Sequence, residues 1–139
     1  MIWEECLGKN VFKRAPDIEE GRSLMRMAIT RLKFVDEIDK SKYPSLAVEG
    51  YYEIMKELIT SLLAKEGYKS YSHECLIAFL SKFYEFTEGE IHLIDECRRI
   101  RHDIGYRGFF VDVEYLDRNE VRIRGIIGKL LAICRKELG

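Results

Sequence analysis

The sequence predicts an all-α fold, an up-and-down antiparallel bundle of four to five helices. Apolar residues recur at spacings of three and four along most of the chain, which is the period of one helix face, and no stretch alternates apolar and polar residues for long enough to predict a sheet. With 139 residues and 47% hydrophobic content, the chain can bury a core without metal or disulfide support. We therefore expect a single domain over residues 1–139, with no internal repeat or linker.

The first half of the chain divides at a few clear helix signals. Residues 1–16 show no periodic pattern and are predicted to be irregular. Asp17 followed by Glu20 is typical of a capped helix start, and the apolar stripe after it predicts a first helix to about residue 39. Pro44 suits the first turn of a second helix, where its missing N–H would have no partner.

The second helix, roughly residues 45–65, is the most apolar element and is predicted to end at Gly67. Ser72 can cap a third helix, and Thr87 with Glu90 forms a capping-box pattern for a fourth. Each of these caps is followed by apolar residues at helical spacing. The links between helices are short, which favours an antiparallel bundle.

Two glycines, Gly105 and Gly108, are expected to bracket the turn after the fourth helix, because glycine adopts backbone angles that other residues resist. Asp112 can then cap a last helix that reaches about Leu138. The apolar set of this last helix repeats at helical spacing and is predicted to close the core.

Composition excludes several classes of protein. The formal net charge is -1, so no chain-wide positive field predicts a nucleic-acid partner, and any such binding requires a local patch. No apolar run is long enough to cross a membrane, and the first residues do not resemble a signal peptide. The cysteines are far apart and form no Cys-x-x-Cys pair, so we expect four reduced thiols in a cytoplasmic protein without metal or cofactor: Cys6, Cys75, Cys97 and Cys134.

Residues 98–108 concentrate more polar chemistry than packing requires: four arginines, a histidine, an aspartate and a tyrosine. One residue per 100 degrees places Arg101 close beside the core stripe of the fourth helix. A guanidinium near a core needs a carboxylate, backbone carbonyls or a bound anion as partner. The arginines Arg98, Arg99 and Arg107 extend this basic surface, and together with Arg101 they are the predicted phosphate- or RNA-binding residues.

A simpler interpretation fits the same segment. Arg101 would pair within the helix, with Asp103, Glu96 or Asp95, and the arginines Arg98 and Arg99 would cover a solvated helix end. Cations near a helix C-terminus also offset the helix dipole. Composition by itself favours this interpretation.

The chain resembles the HEPN family of small helical-bundle proteins. The resemblance covers most of the chain and rests on residues 49–52, residues 67–73 and above all residues 98–108. The family pattern is an arginine, a polar residue beside it, and a histidine shortly after. Arg101 takes the position of the arginine and His102 that of the polar residue, while the family histidine falls on Tyr106. The motif is therefore degenerate.

This resemblance implies a homodimer that binds RNA or nucleotide phosphate. Family members with the full motif are metal-independent ribonucleases, in which the arginine holds the scissile phosphate and the histidine moves protons. Tyr106 is a poor substitute because a phenol is a weak base at neutral pH, so we expect ribonuclease activity to be weak or lost. Arg101, His102 and Tyr106 are nevertheless the candidate catalytic residues.

Two alternatives stay open. In the first, the protein is a toxin-like metal-independent endoribonuclease in which His102 supplies proton transfer beside Arg101, within one subunit or across the dimer. In the second, the resemblance implies a non-catalytic partner of a small nucleotidyltransferase in a toxin–antitoxin pair. There the acceptor tyrosine of the family falls on Gly108, and only Tyr106 could take its place.

Overall fold

The computed structural model describes residues 2–139. These residues form an all-α helical bundle with one two-stranded sheet, as the sequence predicts in its main elements. In chain order they are α1 (Trp3–Cys6), β1 (Val11–Lys13), α2 (Ile18–Glu37), α3 (Pro44–Glu66), β2 (Tyr68–Ser70), α4 (His73–Phe83), α5 (Glu88–Arg107) and α6 (Val113–Leu138).

The helices begin where the sequence places their caps. The side chains of Asp17, Ser72, Thr87 and Asp112 each accept a hydrogen bond from a backbone N–H in the first turn of α2, α4, α5 and α6. These bonds satisfy N–H groups that have no partner within the helix. At the other end of α3, Gly67 has a φ of 88°, a left-handed conformation that glycine adopts without steric cost.

Helix α3 lies at the centre of the bundle and contacts α2, α4, α5, α6 and β2. One hydrophobic cluster includes residues from all six helices. The largest fully buried side chains come mainly from α3 and include Tyr51 and Tyr52. A side chain on α3 is therefore held by packing on several sides, which bears on the site described below.

The prediction of an irregular segment over residues 1–16 is wrong. This segment contains α1 and β1, and β1 pairs with β2 in antiparallel register, with Val11 opposite Ser70. Trp3 is buried against Tyr68 and Phe79. The sequence did not reveal these elements because each is too short to show a period, and each depends on contacts with residues far along the chain.

The expectation of four reduced thiols is also wrong for one pair. Cys6 and Cys75 form a disulfide that joins α1 to the first turn of α4 across 69 residues. Cys97 and Cys134 are free and buried, as expected, and burial raises the pKa of the Cys97 thiol to about 12. Since two cysteines are oxidised, cysteine usage no longer supports a cytoplasmic location.

Within residues 2–139, no helix combines the length and the hydropathy that crossing a membrane requires.

Candidate functional site

Arg101 lies on the side of α5 that faces α3, as helical periodicity predicts, and its side chain is 34% exposed. Its Nε donates a hydrogen bond to Oε1 of Glu53 at 3.0 Å. The partner is therefore a carboxylate on α3, and the predicted partners Asp103, Glu96 and Asp95 are wrong. Neither terminal Nη group of Arg101 donates a hydrogen bond to any residue of the described chain.

The Glu53 carboxylate is shared between two cations. Its Oε2 lies 2.7 Å from Nζ of Lys56, one turn further along α3, and its side chain is only 15% exposed. Burial by itself raises the pKa of this carboxyl. The hydrogen bond and charge of Lys56, together with the charge of Arg101, outweigh burial and lower the pKa below its ordinary value. Glu53 is thus ionised and fixes the position of both cations.

His73 is the first residue of α4, and its ring lies against Tyr52 of α3. Nδ1 of His73 is 3.0 Å from the Tyr52 hydroxyl, and the two rings stack with their centroids 5.8 Å apart. Burial lowers the pKa of His73, and the positive charges of Lys56 and Arg101 lower it further. The sequence by itself did not identify this histidine as part of a site, because its partner Tyr52 lies on another helix.

Arg98 lies one turn before Arg101 and has two acidic neighbours. Its Nε donates to Oδ1 of Asp95 at 2.8 Å, and its Nη1 is 4.0 Å from Glu74 of α4. The charge of Arg98 also contributes to the lowered pKa of His73. Arg98 therefore borders the same site, from the α4 side of α5.

We call these six residues, which α3, α4 and α5 bring together, the three-helix cluster: Tyr52, Glu53, Lys56, His73, Arg98 and Arg101. It includes two of the predicted phosphate-binding arginines and four residues that the sequence did not single out. One signal was available in the sequence, because Glu53 and Lys56 are charged residues within the most apolar helix. Charged groups in such a helix need partners, although the sequence does not identify them.

The remaining predicted residues lie outside the three-helix cluster. Arg99 pairs with Asp95 and Arg107 with Asp103, both on the exposed surface of α5. His102 is 61% exposed, with Nδ1 3.6 Å from Asp103, and its ring centroid is 4.5 Å from that of Tyr106. The partners of these four side chains all lie on α5 itself, so none of the four is part of the three-helix cluster around Arg101.

The prediction that Gly105 borders the turn after the fourth helix is wrong. Residue 105 is helical, and α5 continues to Arg107 before Gly108 ends it with a φ of 62°. Since α5 does not unwind, Arg101 and His102 stay about 100 degrees apart around the helix axis. One subunit therefore does not bring the guanidinium of Arg101 and the imidazole of His102 to the same ligand.

Within residues 2–139, no group of three or more His, Cys, Asp or Glu side chains is arranged to hold a metal ion. Comparison of the chain with protein-family models, with curated proteins and with solved structures gives no match. The site is therefore interpreted from its own geometry.

Proposed function

We propose that this chain is a HEPN-like protein that binds RNA or nucleotide phosphate at the three-helix cluster, with ribonuclease activity weak or lost. The cluster contains three cations from two different helices, namely Lys56, Arg98 and Arg101. A phosphate group placed among them would receive charge-assisted hydrogen bonds from several directions. The resemblance of residues 98–108 to the HEPN motif supports the same site.

The observation that carries this proposal is the way in which Arg101 is hydrogen-bonded. Glu53 engages the guanidinium through Nε alone, at 3.0 Å, which orients the side chain while both Nη groups stay open. A guanidinium can bind a phosphate through two parallel N–H groups. Because Arg101 is held in place before a ligand arrives, it loses little side-chain freedom on binding.

Weak or absent cleavage follows from the position of Tyr106. This residue occupies the place of the family histidine, but it is 75% exposed, and its ring lies at a tilt against the ring of His102. Proton transfer requires a group within hydrogen-bond reach of the reacting hydroxyl. Tyr106 therefore does not provide a base for a phosphate that is held at Arg101.

Binding can be tested with unlabelled oligoribonucleotides by calorimetry at two salt concentrations. Arg101→Ala is expected to weaken binding by about ten- to a hundredfold, the usual effect of losing a charged hydrogen bond. It should also make the affinity less dependent on salt, because one phosphate contact is lost. Arg101→Lys should recover part of the affinity, since it keeps the charge without the two-pronged donor.

Arg135→Ala is the matched control, because Arg135 is an exposed arginine on α6, far from the cluster in sequence. An equal loss of affinity in both variants would mean that charge alone matters and would contradict a specific site. Absence of RNA and nucleotide binding by the wild-type protein at low salt would refute the proposed function.

Cleavage remains a second candidate function, in which His102 of one subunit meets Arg101 of another. The exposure of His102 favours this arrangement over one within a single subunit. Incubation of RNA with the wild-type protein in the presence of a metal chelator, followed by a denaturing gel, tests for activity. Products that disappear with both Arg101→Ala and His102→Ala would replace the binding proposal by this one.

Dimerisation is part of the same proposal, and an exposed apolar patch beside the end of α5 supports it. Phe110 is 85% exposed, and Phe109 and Leu46 are also exposed. They border a groove of about 340 Å³ between the start of α3 and the α5–α6 turn. Exposed apolar patches often mark interfaces. Light scattering should give twice the monomer mass for the wild type and a lower mass for Phe110→Asp.

A further inference from the structure

His73 stands apart from the other two histidines of the chain. The side chains of His92 and His102 are largely exposed. His73 is half-buried, stacks on Tyr52, and lies within the electrostatic range of three cations. Because His73 lies in the three-helix cluster, it is the histidine whose protonation a ligand bound at Arg101 would change most.

The bond to Tyr52 determines where neutral His73 carries its proton. Burial raises the pKa of the Tyr52 phenol well above its ordinary value, so the hydroxyl keeps its proton. A phenol O–H is a stronger donor than a neutral imidazole N–H, and we therefore assign Tyr52 as donor and Nδ1 as acceptor over the 3.0 Å between them. The proton of neutral His73 is then on Nε2, which has no protein partner among the described residues.

Charged groups from three helices act on this ring. Lys56 and Glu53 of α3 and Arg98 and Arg101 of α5 change its pKa directly, and Glu74 of α4 lies beside Arg98. Burial is the largest cause of the lowered pKa. Lys56 and Arg101 follow, Glu53 opposes them, and Arg98 adds to them. With an empty site, His73 is therefore neutral at pH 7.

We propose that His73 takes up a proton when a phosphate group binds the three-helix cluster, so that the affinity for phosphodiesters increases as the pH falls. This inference rests on the proposed function. A bound phosphate brings negative charge among Lys56, Arg98 and Arg101 and offsets their repulsion of an imidazolium. Protonated His73 keeps Nε2 as a donor for the ligand.

The direction of the pH dependence follows from the linkage between proton binding and ligand binding. If the ligand raises the pKa of His73, the complex binds more protons than the free protein between the two pKa values. In that pH interval the affinity increases by up to about tenfold for each unit that the pH is lowered, the limit for uptake of one proton. Glu53 cannot give the same effect, because its pKa is lowered from the ordinary glutamate value, which already lies below this pH interval.

The RNA probe must not change its own charge in the pH interval in which His73 is expected to take up its proton. Inorganic phosphate and terminal phosphates change charge near neutral pH, so a short oligouridylate without a terminal phosphate is used, at constant ionic strength from pH 5.5 to 8. NMR of the ring C–H protons follows each histidine of the wild-type protein separately. Addition of oligouridylate is expected to raise the pKa of His73, whereas the ring signals of the exposed His92 serve as the internal control and should not respond to the ligand.

Calorimetry with the same oligouridylate provides the second measurement. The wild type should bind more tightly at pH 6 than at pH 8, whereas His73→Gln should lose this difference and His92→Gln should keep it. If oligouridylate binds in a salt- and Arg101-dependent manner but the pKa of His73 does not move, this inference is wrong and the proposed function stands. If oligouridylate does not bind at any pH, this inference is refuted, and the proposed function is refuted with it only if mixed-sequence RNA and nucleotides also fail to bind at low salt.

Discussion

Reduction of the Cys6–Cys75 disulfide should remove a large part of the stability of this fold. The bond closes a loop of 69 residues. In the chain-entropy model, closing a loop of this length lowers the entropy of the unfolded chain by about 15 cal/mol/K, which corresponds to roughly 4 kcal/mol at 25 °C. The total free energy of unfolding of a domain is about 5–15 kcal/mol. The reduced protein should therefore unfold at a clearly lower urea concentration.

The assay is urea unfolding followed by circular dichroism, with and without a phosphine reductant. Thiol titration in denaturant checks the premise: two thiols should react without reductant, Cys97 and Cys134, and four after reduction. Trp3 is the single tryptophan, so its fluorescence reports separately whether α1 stays docked. Four reactive thiols in the unreduced protein, or an unfolding midpoint that reductant does not shift, would refute the reasoning.

Three further predictions concern α5 and the three-helix cluster. Gly105→Ala should stabilise the protein by up to about 1 kcal/mol, because position 105 is helical and a Cβ there meets no other atom. A Cβ at position 108 also meets no other atom, but its φ of 62° is left-handed, so Gly108→Ala should destabilise the protein by about 1–2 kcal/mol. Urea unfolding of both variants measures the two effects, and equal effects would contradict the prediction. Glu53→Gln should lower the free energy of unfolding by about 1–3 kcal/mol, because two cations lose their carboxylate. It should also weaken oligoribonucleotide binding in calorimetry, because Arg101 is no longer held in place by a carboxylate before the ligand arrives; unchanged binding would argue against this orienting role of Glu53. Stability should fall as the pH drops from 7 to 5, because the pKa of His73 is lowered in the folded state and the unfolded chain takes up the proton first; the slope should be smaller in His73→Gln.

The sequence predicted the long helices well because their signals are local. A cap such as Thr87 with Glu90 and the apolar stripe that follows it lie within a few residues of each other, and α5 begins where they place it. The orientation of Arg101 was also predictable, because helical periodicity relates it to the core stripe. Its partner was not, since Glu53 lies 48 residues away on another helix.

The other features that the sequence did not predict also depend on contacts between residues far apart in the chain. Cys6 and Cys75 carry no spacing signal, and β1 is recognisable only through its register with β2. His73 could not be assigned to the site from the sequence, because its partner Tyr52 lies 21 residues away on another helix. Gly105 illustrates a different limit: a glycine permits a turn without requiring one, and here the helix continues through it.

The central position of α3 has a consequence for how the site moves. Tyr52, Glu53 and Lys56 lie on the helix that contacts every other long helix and β2, so its amides should exchange with solvent only when the whole protein unfolds. The carboxylate that orients Arg101 is thus anchored to the slowest-opening part of the fold. Ligand binding stabilises the folded state as a whole, so it should slow amide exchange in α3 by the full stabilisation. At the start of α4, around His73, local protection by the ligand should slow exchange as well.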